Sequence, residues 1–155
     1  MGTALKDRLK QSRFESREQE ALLNLFVTAN HLRQLMSAVC VDFAITPAQY
    51  NVLRILNGVY PAGHPRCEII ARMLEPAPDV TRLLDRLAQQ GFVDRDVSSV
   101  DKRMSIARIS RKGLHLLEKI RPAVKQVEGY LASRLSTAEC IELSHLCEKI
   151  YTNEI

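Results

Sequence analysis

The chain has 155 residues, 46% of them apolar and 26% charged, with four cysteines and a net charge of +4 at pH 7. That length and mix suit a soluble globular chain with one sizeable core, and no run of about 18 apolar residues is present, so no membrane span is expected. Cys40, Cys67, Cys140 and Cys147 share no CxxC or other close metal-ligand spacing, which leaves free thiols and no metal site, and the charged opening "MGTALKDRLKQSRFESREQE" lacks the apolar heart of a secretion signal, which points to the cytoplasm.

Leu22, Leu25, Ala29, Leu32, Met36, Val39 and Phe43 step by three and four, which predicts a long helix over roughly 15–42 with a heptad seam. A second helix is expected from "ITPAQYNVLRILNGVY", with Thr46 as N-cap and Pro47 at the first helical position, where its missing N–H costs nothing. "PAGHP" ends it. "RCEIIARML" reads as a short third helix, stopped by "EPAP", where each proline drives the residue before it, Glu75 or Ala77, out of the helical region. Pro78 suits the first turn of a fourth helix, "PDVTRLLDRLAQQG". Its buried stripe is Val80, Leu83, Leu84 and Leu87, its open face Thr81, Arg82, Asp85, Arg86 and Gln89, and its C-terminal glycine Gly91. "FVDRDV" and "MSIARIS" then alternate as two strands joined by "SSVDKR", a hairpin.

Ser110 is the expected cap of a helix with the stripe Leu117, Ile120, Val124, Val127 and Leu131, kinked at Pro122. "STAE" opens a last helix through a capping box of Ser136 and Glu139, with Cys140, Leu143, Cys147 and Ile150 on one stripe. The terminal seams are too long for a small central module to cover. They either fold against each other within the chain or meet a second chain.

A short helix, a tight three-residue turn and a second helix with an apolar inner face make a helix-turn-helix, and a hairpin directly after it makes a wing. Thr81, Arg82 and Arg86 carry suitable chemistry on the open face, since a guanidinium pairs two bonds to guanine and a hydroxyl reaches a phosphate or base edge. At the wing tip Lys102 and Arg103 supply positive charge along the sugar-phosphate backbone, and Asp101 is placed to hold Arg103 or Arg95 by a charge-assisted hydrogen bond. The charge distribution agrees: residues 66–112 hold ten Lys/Arg against seven Asp/Glu, whereas 113–155 hold five against six. The fold class expected is therefore mainly α with a small β-hairpin wing, one chain over 1–155. A winged helix-turn-helix lobe spans 45–112, flanked by helical regions at 15–43 and 113–153.

The stretch "EIIARMLEPAPDVTRLLDRLAQQGFVDRDVSSVDKRMSIARISRKG" resembles the core of the MarR family of bacterial transcriptional regulators. The likeness rests on "VTRLLDRL" followed by "GFV" and on an Asp-x-Arg wing tip followed by "IS" and "KG". It implies a homodimer with interlocked terminal helices, and double-stranded DNA with a pseudo-palindromic operator as partner. It further implies Thr81, Arg82 and Arg86 as groove or phosphate contacts and Asp101 with Arg103 as the wing pair. Lys102 stands where the family more often has a second Arg, which favours a backbone contact there. The resemblance also implies repression relieved by a small aromatic or phenolic effector seated between the DNA-binding lobe and the dimer helices. No cofactor is implied.

Two other readings compete. A thiol sensor would use Cys67, close to Arg66 and Arg72 on a short helix expected in the core, or the Cys140/Cys147 pair, which reads as packing. A helical interaction module without DNA binding leaves "VTRLLDRL" and the wing unexplained. An enzyme is not expected, because the chain has no glycine-rich phosphate loop, nucleophile elbow or HExxH. His31, Arg33 and Arg54 have the charge to meet an anionic effector but read as surface or core-edge residues.

Overall fold

The computed structural model describes residues 3–97 and 105–152. Its elements run α1 (Thr3–Leu9), α2 (Arg17–Asp42), α3 (Pro47–Asn57), β1 (His64–Pro65), α4 (Arg66–Arg72), α5 (Val80–Gln89), β2 (Val93–Val97), β3 (Ser105–Ile109), α6 (Arg111–Ala132) and α7 (Thr137–Tyr151). The three strands form one antiparallel sheet in the order β1-β3-β2. Among the described residues no helix is long and apolar enough to cross a membrane.

The caps explain where most helices begin. Ser16, Thr46, Ser110 and Ser136 are extended, and each side chain accepts a hydrogen bond from the backbone N–H three residues on. Thr46 with Gln49 and Ser136 with Glu139 complete capping boxes. In the second of these, bonds from the Ser136 backbone and hydroxyl hold the Glu139 carboxyl below its ordinary range.

The core sits in the central lobe. Val52, Leu53 and Leu56 of α3, Ile69 of α4, Leu84 and Leu87 of α5, Val93, Ala107 and Ile109 of the sheet and Ile120 of α6 close it, with Cys40 from the end of α2. Burial pushes the Cys40 thiol up and away from thiolate chemistry. Helix α6 continues through Pro122.

Several expectations need correction. The sequence pattern predicts two strands; the described residues hold three, because His64 and Pro65 pair with Ala107 and Ile106. A two-residue strand containing proline has no alternation to read. Helix α1 is a further addition: its seven residues hold Leu5 and Leu9 at i, i+4, too short a run to predict a helix. The three-residue turn is replaced by a seven-residue connection, 73–79, since Pro76 and Pro78 disfavour helical backbone at the residues before them. Pro78 is accordingly outside α5, and Asp79 is its N-cap. Cys67 is exposed, because the short α4 buries only Ile69.

The terminal helices are unevenly covered. Helix α2 packs on α6, and His31 Nε2 lies 2.8 Å from the Tyr130 hydroxyl. Helix α7 has no buried residue, and Leu143, Leu146 and Ile150 (68% exposed) present apolar surface, as does Phe26 of α2 (63%).

Gly113, in the first turn of α6, sets how closely that helix meets the end of α5. A Cβ there would lie 2.4 Å from the Phe92 carbonyl oxygen and 2.7 Å from Ile109 Cγ1. Gly113→Ala is expected to cost about 1–3 kcal/mol of stability in denaturant melts, because backbone and a buried side chain must both move.

Candidate nucleic-acid interface

Helix α5 is the centre of the basic surface. Val80, Leu84 and Leu87 sink into the core, which fixes the rotation of the helix and leaves Arg82 and Arg86 in solvent. Asp79 accepts a hydrogen bond from the Arg82 backbone N–H at 3.0 Å, and its second oxygen lies 3.0 Å from Arg82 Nε. One carboxylate thus caps the helix and tethers the guanidinium, whose side chain remains 81% exposed. Thr81 is half-buried, and its Oγ1 accepts a bond from Arg66 Nη1 at 3.0 Å. Among the described residues Arg86 has no ion pair.

The sheet is braced against α5. Arg95 of β2 pairs with Asp85, and its Nε lies 3.4 Å from Ser105 Oγ on β3. Arg108 pairs with Asp96 and donates from Nε to the Ala62 carbonyl at 3.1 Å. At the far end of α5, Ser110 Oγ donates to the Gly91 carbonyl at 2.7 Å and Lys112 Nζ to that of Gln90 at 2.6 Å. Gly91 has φ +75°, the left-handed backbone that lets the chain leave the helix and enter β2. Helix and sheet root therefore form one braced unit. Arg95, one of two arginines expected to pair with Asp101, is engaged by Asp85; Asp101, Lys102 and Arg103 lie outside the described residues.

The fold recurs in solved proteins. The chain is 34% identical to a MarR transcription factor from Planctomyces limnophilus over 88% of this chain and 98% of that one, with a TM-score of 0.69. The chain belongs to the MarR family. It is a DNA-binding transcriptional regulator with the winged helix-turn-helix fold. It is also 30% identical over 114 residues to the Bacillus subtilis HTH-type transcriptional regulator YkoM, covering 70% of this chain and 72% of that protein. The S. aureus MepR–DNA complex shares the fold at a TM-score of 0.73 and 24% identity, over 82% of this chain and 93% of that one. No protein-family model matches the chain.

Two features of this MarR chain carry no sequence signal. Arg66 reaches the α5 surface through a contact fifteen residues away, and local periodicity marks it only as the start of α4. The second is a cavity of about 520 Å³ between α2, α3 and the 73–79 connection, with Leu32, Met36, Ala48, Met73 and Pro78 among its walls. Arg33 lies on its edge, paired with Glu75. His31 meets Tyr130, and Arg54 lines a separate cleft with Tyr50 and Arg121. The two cations beside Cys67 are engaged elsewhere, Arg66 by Thr81 and Arg72 by Glu68. Among the described residues no three His, Cys, Asp or Glu side chains group as a metal site.

Asp79 opposes an anion where α5 would meet one. Asn caps a helix as well as Asp does. Asp79→Asn is therefore expected to leave thermal stability within about 0.5 kcal/mol. It should also tighten duplex binding up to roughly fivefold, because a carboxylate leaves the surface and Arg82 is freed from an exposed pair. Parallel melting and fluorescence-anisotropy titrations check both outcomes.

Proposed function

We propose that the chain acts as a homodimeric repressor, each copy presenting α5 to the major groove of one half of a pseudo-palindromic operator. The observation that carries this reading is the split of α5: its apolar side is locked into the core, and Thr81, Arg82 and Arg86 stand on the opposite side of a braced unit. The two arginines contact base edges or phosphate and Thr81 a phosphate, with Arg66 as a neighbouring cation. Lys102 and Arg103, aimed by Asp101, serve the flanking backbone. A second copy covers the apolar faces of α7 and the first half of α2, which the single chain leaves exposed. The protein works by binding rather than catalysis, on the chromosome in the cytoplasm.

Release follows from the cavity at α2, α3 and 73–79. A small aromatic effector seated there touches the segment that leads directly into Asp79, so it favours a population in which the two α5 helices are wrongly spaced. The test is in-vitro selection of bound duplexes followed by a salt titration. With six to ten phosphate contacts per dimer, affinity is expected to fall by roughly 10³-fold or more between about 50 and 200 mM salt. Purified dimer that retains no duplex of any sequence at low salt would overturn the reading.

A further inference from the structure

The cap residue of α5 carries the wrong charge for a polyanion, yet its contacts give that charge a use. Asp79 Oδ1 accepts the Arg82 backbone N–H at 3.0 Å, which pins the carboxylate at the head of the helix, and Oδ2 lies 3.0 Å from Arg82 Nε. Because the cap has already ordered the carboxylate, tethering the guanidinium costs side-chain freedom on one partner only. The contact takes the Nε edge of the guanidinium. The two Nη groups have no hydrogen-bond partner among the described residues and stand on a side chain that is 81% exposed. They form the planar two-donor end that matches O6 and N7 of guanine. A phosphate is a poor neighbour in the same place, since the Asp79 side chain is itself 45% exposed and repels a backbone anion.

We infer that Asp79 is a positioning residue that sets sequence specificity: it aims Arg82 at a guanine in each operator half, so that Arg82 reads a base edge and not a phosphate. This rests on α5 being the groove helix of the proposed operator complex. An untethered arginine on an exposed helix face samples many rotamers and pairs with any phosphate in reach, which adds affinity to every sequence alike. Held at Nε, Arg82 presents one fork in one direction, and the carboxylate beside it opposes the backbone contact that would compete. Asp79 thus lowers affinity for duplex in general and widens the difference between right and wrong sequences.

The test compares the full-length protein with Asp79→Asn, Asp79→Ser and Arg82→Ala. Asn and Ser both cap a helix, and each has a single side-chain oxygen, which the cap takes up, so neither holds the guanidinium. Duplexes selected by the parent are titrated by fluorescence anisotropy beside copies in which each guanine of the half-site is replaced in turn, in both halves. At one position the parent is expected to prefer guanine by about tenfold or more and Arg82→Ala to lose that preference. The two Asp79 variants should reduce it to about threefold or less while binding a scrambled duplex more tightly than the parent does. Melting curves establish that each variant folds, and should one Asp79 variant fail, the other decides. An Asp79 variant that binds duplex with the parent's guanine preference overturns the inference. So does an Arg82→Ala protein that loses affinity equally on every sequence, the mark of a phosphate contact. Either result leaves the groove reading intact. If the parent retains no duplex of any sequence, that reading fails and this inference with it.

Discussion

Arg86→Ala is expected to lower operator affinity by roughly 30-fold or more while leaving the melting temperature unchanged. Arg86 is exposed and among the described residues has no ion pair, so its removal breaks no described ion pair of the fold. Each lost base or phosphate contact is worth about 1–3 kcal/mol, and the proposed dimer would lose two. The salt dependence separates the two kinds of contact. A phosphate partner lowers the slope of log K against log salt by roughly 1 per contact, whereas a bidentate guanine partner relaxes preference at one base position. Arg82→Ala should lose less, because part of its charge is already answered by Asp79. Anisotropy on a selected duplex, compared with a scrambled one, reads all of these.

Leu87→Ala tests the other side of the same helix and should give the opposite pattern. Leu87 is fully buried, in contact with the core that joins α3, the sheet and α6. Truncation leaves a cavity costing about 2–5 kcal/mol, which for a chain of this size lowers Tm by roughly 5–20 °C. Well below the new Tm, the surviving folded dimer should still bind duplex, because Arg82 and Arg86 are untouched. The two substitutions are adjacent in sequence yet should separate folding from recognition. A Leu87→Ala protein that is stable but blind to DNA would mean that α5 is not held by this core.

That contrast also shows which parts of the molecule were legible before folding. The buried stripe of α5 has a helical period and was readable, as were the caps at Thr46, Ser110 and Ser136, because each is a local device within four residues. The prolines of "EPAP" marked a break but not its length; how many residues are needed to join α4 to α5 depends on where both helices pack. The strand at His64 and Pro65 exists only because β3 passes beside it. Cys67 is exposed where a core position is expected, because a seven-residue helix buries one apolar side chain, Ile69, and leaves its neighbours in solvent. Within the candidate site, Arg82 and Arg86 were readable from the helical face. The Arg66–Thr81 bond arises from a tertiary contact fifteen residues apart, which no local pattern encodes.

In the proposed dimer two copies of α5 are held one duplex turn apart. Hydroxyl-radical footprinting of the purified protein on a selected operator measures this most directly. Two protected patches related by a two-fold axis, with centres roughly 34 Å apart along the duplex, are expected. A single unpaired patch, or protection that persists unchanged when Arg82 and Arg86 are both alanine, would contradict it.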